Sequence, residues 1–211
     1  LSNGTQGVRG MAISPDGRYL AVAHVLSRYQ VPTTQLDRGW MNTNAVTVID
    51  TDEPDKPHPV LLDDPDAGAA NPWGVSFSED GGKLFVTHAG THELSVIDFP
   101  ALLERMKRED RSNEPVSERL GFLHGLRTRI ALPLNGPRSV ASDGKNVYVA
   151  GYFSDSLAEI SLKDACKSRA IPLNVPFRPS REKLGERYFN DASHCFQGWQ
   201  SCGRPELGSA E

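Results

Sequence analysis

The stretch Gly10–His24, GMAISPDGRYLAVAH, decides the fold because the chain returns to it twice. It recurs as GVSFSEDGGKLFVTH over Gly74–His88 and more loosely as SVASDGKNVYVAG over Ser139–Gly151. In each copy a short β-rich run meets an Asp-Gly turn and leaves as an alternating apolar run, which is the signature of a β-hairpin. Asp16-Gly17, Asp80-Gly81 and Asp143-Gly144 are therefore equivalent positions of an internal repeat.

Each hairpin is followed by a third run, AVTVID (45–50), ELSVID (93–98) or LAEISL (157–162). A fourth comes before the next copy opens: HPVLL (58–62), RTRIAL (127–132) and SRAIPL (168–173). Four short antiparallel strands per copy is the pattern of a propeller blade. A β-sandwich also has many short strands, but it does not require equivalent turns to recur in copies. The sequence thus predicts an all-β fold, a partial β-propeller of about three four-stranded antiparallel blades over residues 1–173, with a short helical C-terminal tail.

Two insertions interrupt the repeat. The first, VLSRYQVPTTQLDRGW (25–40), separates the second and third strands of blade one. The second, FPALLERMKREDRSNEPVSERLG (99–121), reads as a surface helix and loop that decorates blade two. Closed propellers typically have four to eight blades, and an open arc leaves blade edges unpaired. Three blades therefore predict a fragment of a longer parent, as does the absence of an initiator methionine.

With 38% hydrophobic and 24% charged residues in 211, the composition is that of an ordinary soluble globular protein. The net charge of −4 comes from interspersed signs, and even the dense run ERMKREDRSNE alternates as a solvated helix face does. That balance offers no broad basic field for nucleic acid. No apolar run approaches the ~18 residues of a membrane span. Cys166, Cys195 and Cys202 are too few for a disulfide scaffold, and the odd count leaves one thiol free unless it pairs outside the chain.

Propeller geometry gives the repeated positions a shared location. The Asp-Gly turns lie on one face, and the connections between second and third strands and from blade to blade lie on the other. His24 and His88 close second strands on that other face, while Arg9, Trp73 and Arg138 stand where the inner strands begin. Tyr29, Arg38 and Trp40 spring from the same side in the first insertion. Together they predict a polar and aromatic pocket at the channel mouth, able to grip an acidic group, a metal or a docked domain. The competing expectation is structural: Trp73 filling the wedge between blades, and His24 and His88 held by repeated hydrogen bonds. Blade three has Gly151 in place of the histidine, so these blades cannot supply a three-histidine metal cluster.

No phosphate loop, nucleophilic triad or zinc spacing is present, so the chain by itself is not read as an enzyme. His92 and His124 stand isolated. The tail SREKLGERYFNDASHCFQGWQSC (180–202) reads as a short helix and a cysteine loop, with Leu184 and Tyr188 four apart and able to share a face with neighbouring Phe189. That helix either opens a new domain or caps the last blade. Cys195 and Cys202 are a possible disulfide pair in an oxidising compartment.

The segments SPDGRYLAVAH, VPTTQLDRGWMNTNAVTVID, NPWGVSFSEDGGKLFVTHAGTHELSVID and GERYFNDASHCFQGWQSC together resemble bacterial YVTN-type β-propeller proteins fused to a domain like the di-haem cytochrome c peroxidases. The resemblance implies a redox protein of the bacterial periplasm or envelope. In it the propeller positions or gates a c-type cytochrome domain, in the same parent chain or in a separate electron-transfer protein. It also implies boundaries: blades over 1–173, a proline-stiffened linker over 174–180, and the start of a truncated cytochrome c-like domain over 181–211. In such relatives Cys202 would be the first thiol of a Cys-x-x-Cys-His haem-attachment site, but Pro205 and Glu206 stand where the second thiol and the histidine belong. The expected cofactor is therefore none in this chain and c-type haem in the parent. The second functional reading is a non-catalytic binding or scaffold propeller of a cell-surface or envelope protein.

Overall fold

The computed structural model describes residues 1–27, 42–109, 119–163, 167–173 and 178–203. Blade one contains β1 (Thr5–Gln6), β2 (Met11–Ile13), β3 (Tyr19–Ser27), β4 (Asn42–Asp50) and β5 (His58–Leu61). Blade two contains β6 (Pro72–Phe77), β7 (Lys83–His88), β8 (Glu93–Asp98) and β9 (Arg127–Ala131). Blade three contains β10 (Pro137–Ser142), β11 (Asn146–Gly151), β12 (Ser156–Ser161) and β13 (Ser168–Pro172). Blades two and three pair antiparallel in sequence order, in blade one β1 and β2 both pair with β3 ahead of β4 and β5, and β6 lies against both β2 and β10. The partial β-propeller with a short helical tail is thus the observed fold.

The hairpin turns are built alike because the same side chains recur. Ser14 Oγ donates to Asp16 Oδ1 at 2.5 Å, and Ser78 Oγ to Asp80 Oδ1 at 2.6 Å. Each aspartate also accepts a backbone N–H two residues on, from Arg18 and Gly82. In blade three Asp143 accepts from the N–H groups of Asn146 and Lys145 instead. These bonds hold the carboxyls of Asp16, Asp80 and Asp143 below the usual carboxylate range.

Blade one departs from the repeat where the first insertion enters. β3 runs three residues past His24, pairing Val25, Leu26 and Ser27 with Asn44, Thr43 and Asn42, and β1 adds to its other edge. His24 therefore lies within its strand rather than closing it. His88, at the equivalent place in blade two, does end β7.

The core lies between blades, so the second strands are apolar on both faces. On β7, Leu84 and Val86 enter the cluster shared with Ala21, Ala23, Val46 and Val48 of blade one. Phe85, one residue out of phase, enters the cluster with Val147, Val149 and Ile160 of blade three. The helix in the second insertion, α1 (Phe99–Glu109), is more than decoration. Its Phe99, Leu102 and Met106 complete the first cluster, and Phe99 meets Phe77 and Tyr19 edge to face at 4.9 and 5.5 Å.

Candidate functional site at the channel mouth

Arg9, Trp73 and Arg138 occupy one repeated position at the start of the inner strand, two residues ahead of β2 and second in β6 and β10, and glycine lets them meet. A Cβ on Gly10 would lie 2.0 Å from the Trp73 carbonyl oxygen, and a Cβ on Gly74 would lie 2.6 Å from that of Arg138. Only glycine tolerates such an approach, so consecutive inner strands close to backbone contact at this end of the axis. The third copy has Ser139 here, and it is exposed.

The three side chains stack. The Arg9 guanidinium carbon sits 3.8 Å from the Trp73 ring centroid and that of Arg138 sits 4.0 Å from it. Two guanidinium groups so close to one centroid cannot share a ring face without colliding, so the indole lies between them. Arg138 also stands 3.6 Å from the Tyr152 centroid, and Lys183 Nζ stands 3.8 Å from the same ring. The result is a cation and aromatic ladder, Arg9, Trp73, Arg138, Tyr152, Lys183, crossing all three blades and the tail. Such contacts gain strength where water is excluded, so the half-buried arginine rungs hold more tightly than the Lys183 end.

Charge at this mouth is unbalanced. Glu186 is occupied by Lys183 at 2.8 Å. Among the described residues neither Arg9 nor Arg138 forms an ion pair, and Arg138 Nε is buried with no acceptor. Burial, then the neighbouring Arg138, pulls the Arg9 pKa below its ordinary value; burial does the same to Arg138.

The histidines expected in this pocket are elsewhere. His24 and His88 are both 0% exposed. His24 Nδ1 donates to the Val25 carbonyl at 3.1 Å, leaving Nε2 to accept from Thr47 Oγ1 at 2.6 Å. His88 Nε2 meets Ser95 Oγ, the equivalent hydroxyl of blade two, at 2.7 Å. A hydroxyl on the facing strand, two residues beyond the partner in register, captures each ring inside the blade. Both are core residues shut off from the mouth; His24 uses both ring nitrogens, whereas Nδ1 of His88 is buried without a hydrogen-bond partner. Tyr29, Arg38 and Trp40 lie outside the described residues, as do Cys166, Pro205 and Glu206.

The tail returns to the same end. α2 (Arg181–Asn190) is capped by Ser180, whose Oγ accepts from Lys183 N–H. It carries Lys183 to the ladder but buries no residue, and Tyr188 and Phe189 stay exposed. The following segment docks by its backbone. Ala192 N–H donates to Gly90 O, Gly68 N–H to Gln197 O, and Asn44 Nδ2 to Trp199 O, while Asn71 Nδ2 donates to Ser201 Oγ at 2.7 Å. Buried Asp63 sets the receptor loop by accepting from the Asn44 and Ala69 N–H groups and from Asn44 Nδ2.

Three contributors escaped the sequence reading. Tyr152 and Lys183 belong to a turn and a helix with no counterpart in the other copies. His92, read as isolated, adopts a left-handed backbone with φ 58° after β7. Its Nδ1 accepts from Gly136 N–H at 3.1 Å, and its Nε2 stands 3.2 Å from Asp191 Oδ1 of the tail without the alignment of a hydrogen bond. The ring thus ties blade two to the Gly136 turn of blade three and lies beside the tail.

The residues present do not fit a c-type haem. Cys202 is exposed, Cys195 is half-buried, both thiols are free, and neither precedes a histidine in an attachment motif. Burial, then Cys202 and Asp191, pushes the Cys195 thiol up. Among the described residues no cluster of three or more His, Cys, Asp or Glu could hold a metal, and no helix is long and apolar enough to cross a membrane.

No family model matches the chain. It is 30% identical over 157 residues to hydrazine synthase subunit beta of Kuenenia stuttgartiensis, a match covering 72% of this chain and 40% of that protein. The structure of Kuenenia stuttgartiensis hydrazine synthase superposes with a TM-score of 0.67 at 29% identity, over 75% of this chain and 46% of that one. A chain of a nidogen/laminin complex shares the fold at 17% identity and a TM-score of 0.51, over 82% of this chain and 49% of that one. The chain therefore has a β-propeller-like fold, similar to a subunit of a multisubunit enzyme, and spans less than half the length of each of these relatives.

Proposed function

We propose that this chain is the non-catalytic propeller portion of a bacterial envelope redox protein, and that its ladder end positions or gates a c-type cytochrome domain. The observation that carries this reading is the convergence of the Arg9–Trp73–Arg138 stack and the docked tail on one end of the blades. The likeness to a hydrazine synthase subunit supports the redox association. On this reading the parent is a YVTN-type propeller with further blades, next to which exposed Met11 and Ile13 would pack. Residues 1–173 are its blades, 174–180 the linker, and 181–211 the entrance to a cytochrome c-like domain. Exposed Tyr188, Phe189 and Phe196 supply that entrance with an apolar face to cover. Haem belongs to the docked domain or to a separate electron-transfer protein, because this chain lacks its ligands.

The test is capture of haem proteins from a bacterial envelope extract on the immobilised chain, read by Soret absorbance of the eluate. Enrichment of a haem polypeptide, lost in the Arg9→Glu/Arg138→Glu variant, is expected. Equal haem on the chain and on an unrelated protein would overturn the proposal and leave a scaffold propeller.

A further inference from the structure

We infer that the Arg9–Trp73–Arg138 stack is a recognition site for a pair of carboxylates, one taken by each guanidinium. With one cation on each face of the indole, at 3.8 and 4.0 Å from its centroid, the two guanidinium carbons stand roughly 8 Å apart. Stacking fixes both planes and leaves their N–H edges directed away from the ring. A planar fork held this way matches a carboxylate, which it binds through two parallel hydrogen bonds. Neither arginine forms an ion pair with a described carboxylate; Glu186, which pairs with Lys183, acts on Arg138 only through its charge, and Arg138 also bonds the Tyr152 side chain. Part burial strengthens such a pair relative to one in open water.

A single small acid cannot reach both forks around the indole, whereas two carboxylates on a short chain can. The same chemistry is met in a free aliphatic dicarboxylate and in an extended acidic segment of a docked protein, whose alternate side chains lie roughly 7 Å apart. The inference does not rest on the redox reading. A chain that captures no haem protein would still bind carboxylates here.

The experiment titrates the full chain at low ionic strength with acetate, glutarate, adipate and a short peptide bearing aspartate at alternate positions. The readout is the Trp73 indole N–H resonance, assigned by its loss in Trp73→Phe. A dicarboxylate or the peptide is expected to shift it with at least about tenfold higher affinity than acetate. Arg9→Gln and Arg138→Gln should each remove that advantage, and Arg169→Gln, on the outer strand, should not. Should Arg138→Gln fail to fold, Arg138→Lys keeps the cation, loses the fork and is expected to lose the preference. Tighter binding of the peptide assigns the site to a docked protein, and tighter binding of the small acids to a free ligand. Equal affinity for acetate and the diacids, a Trp73 resonance that does not move, or binding that survives both glutamine variants would overturn the inference.

Discussion

Gly68 and Trp199 meet backbone to backbone: a Cβ on Gly68 would lie 2.3 Å from Trp199 Cα. The contact joins the loop between blades one and two to the docked tail, where Trp199 is 3% exposed. Gly68→Ala should therefore push the tail out of its seat while leaving the blade core intact. Overpacking of this kind costs about 1–3 kcal/mol, comparable with what a few backbone hydrogen bonds return. The expected outcome is new proteolytic cleavage within 190–203 and a red shift of Trp199 emission, checked by mass spectrometry and fluorescence. Unchanged protection would show that the tail does not depend on this approach.

Arg127 and Arg129 of β9 share Asp64 across the loop that precedes the tail's seat, Arg127 at 2.5 Å and Arg129 at 3.2 Å, and Arg129 also pairs with Glu93. The Arg127 side chain is only 4% exposed. Removing the shared acid would leave a nearly buried cation without its ion-pair partner. Asp64→Ala should accordingly lower stability by about 3 kcal/mol or more. Glu159→Ala breaks an ion pair whose Arg169 side chain is 74% exposed and screened by water, and should cost far less. Urea titration of both variants separates them, and equal losses would contradict the assignment.

His24 and His88 give the fold a pH dependence of definite sign. Burial lowers the pKa of His24, and burial, then Arg129 and Arg127, lowers that of His88 well below its ordinary value. The unfolded chain therefore binds more protons than the folded one below about pH 6.5, so stability rises with pH there and is lost as pH falls. Each histidine adds a slope of up to about 1.4 kcal/mol per pH unit below its unfolded value. Chemical unfolding between pH 7 and 5 should show this loss, a window above that in which the carboxylates of Asp16, Asp80 and Asp143 titrate. His88→Gln should reduce the slope. A flat profile would mean that the rings are not buried neutral.

These histidines also mark where sequence reading stops. The blades were legible because Asp16, Asp80 and Asp143 punctuate equal hairpins, and a period of two sorts Leu84 and Val86 from Phe85. That Arg9, Trp73 and Arg138 come together was legible for a related reason: they share one repeat position, and a glycine follows the first two. The direction of His24 was not. Its strand continues into the first insertion, and the hydroxyl that captures it is Thr47, from a strand that lies beyond that insertion. Tyr152 and Lys183 were equally hidden, because non-repeated segments carry them to the ladder. The tail's seat depends on backbone donors and acceptors of Gly68, Gly90 and Trp199, which every residue possesses and no side-chain pattern distinguishes.

Cys202 follows docked Ser201 and is exposed, with Gly203 N–H tied to the Phe189 carbonyl at 2.7 Å. Its thiol is thus displayed at the surface where attachment chemistry could reach it. What the chain lacks is the second thiol and the imidazole, since proline offers no sulfur and glutamate is a poor substitute for the iron ligand. Produced in a host with cytochrome c maturation, the chain should hold no haem after denaturation. Pro205→Cys/Glu206→His, which completes Cys-x-x-Cys-His from Cys202, should retain it covalently. Pro205→Cys alone should not, because the histidine is still missing. Haem on the unaltered chain would refute the incomplete-motif reading. Its absence from the double variant would show that something other than those two side chains blocks attachment, with the docked Trp199 loop the first element to release by Gly68→Ala.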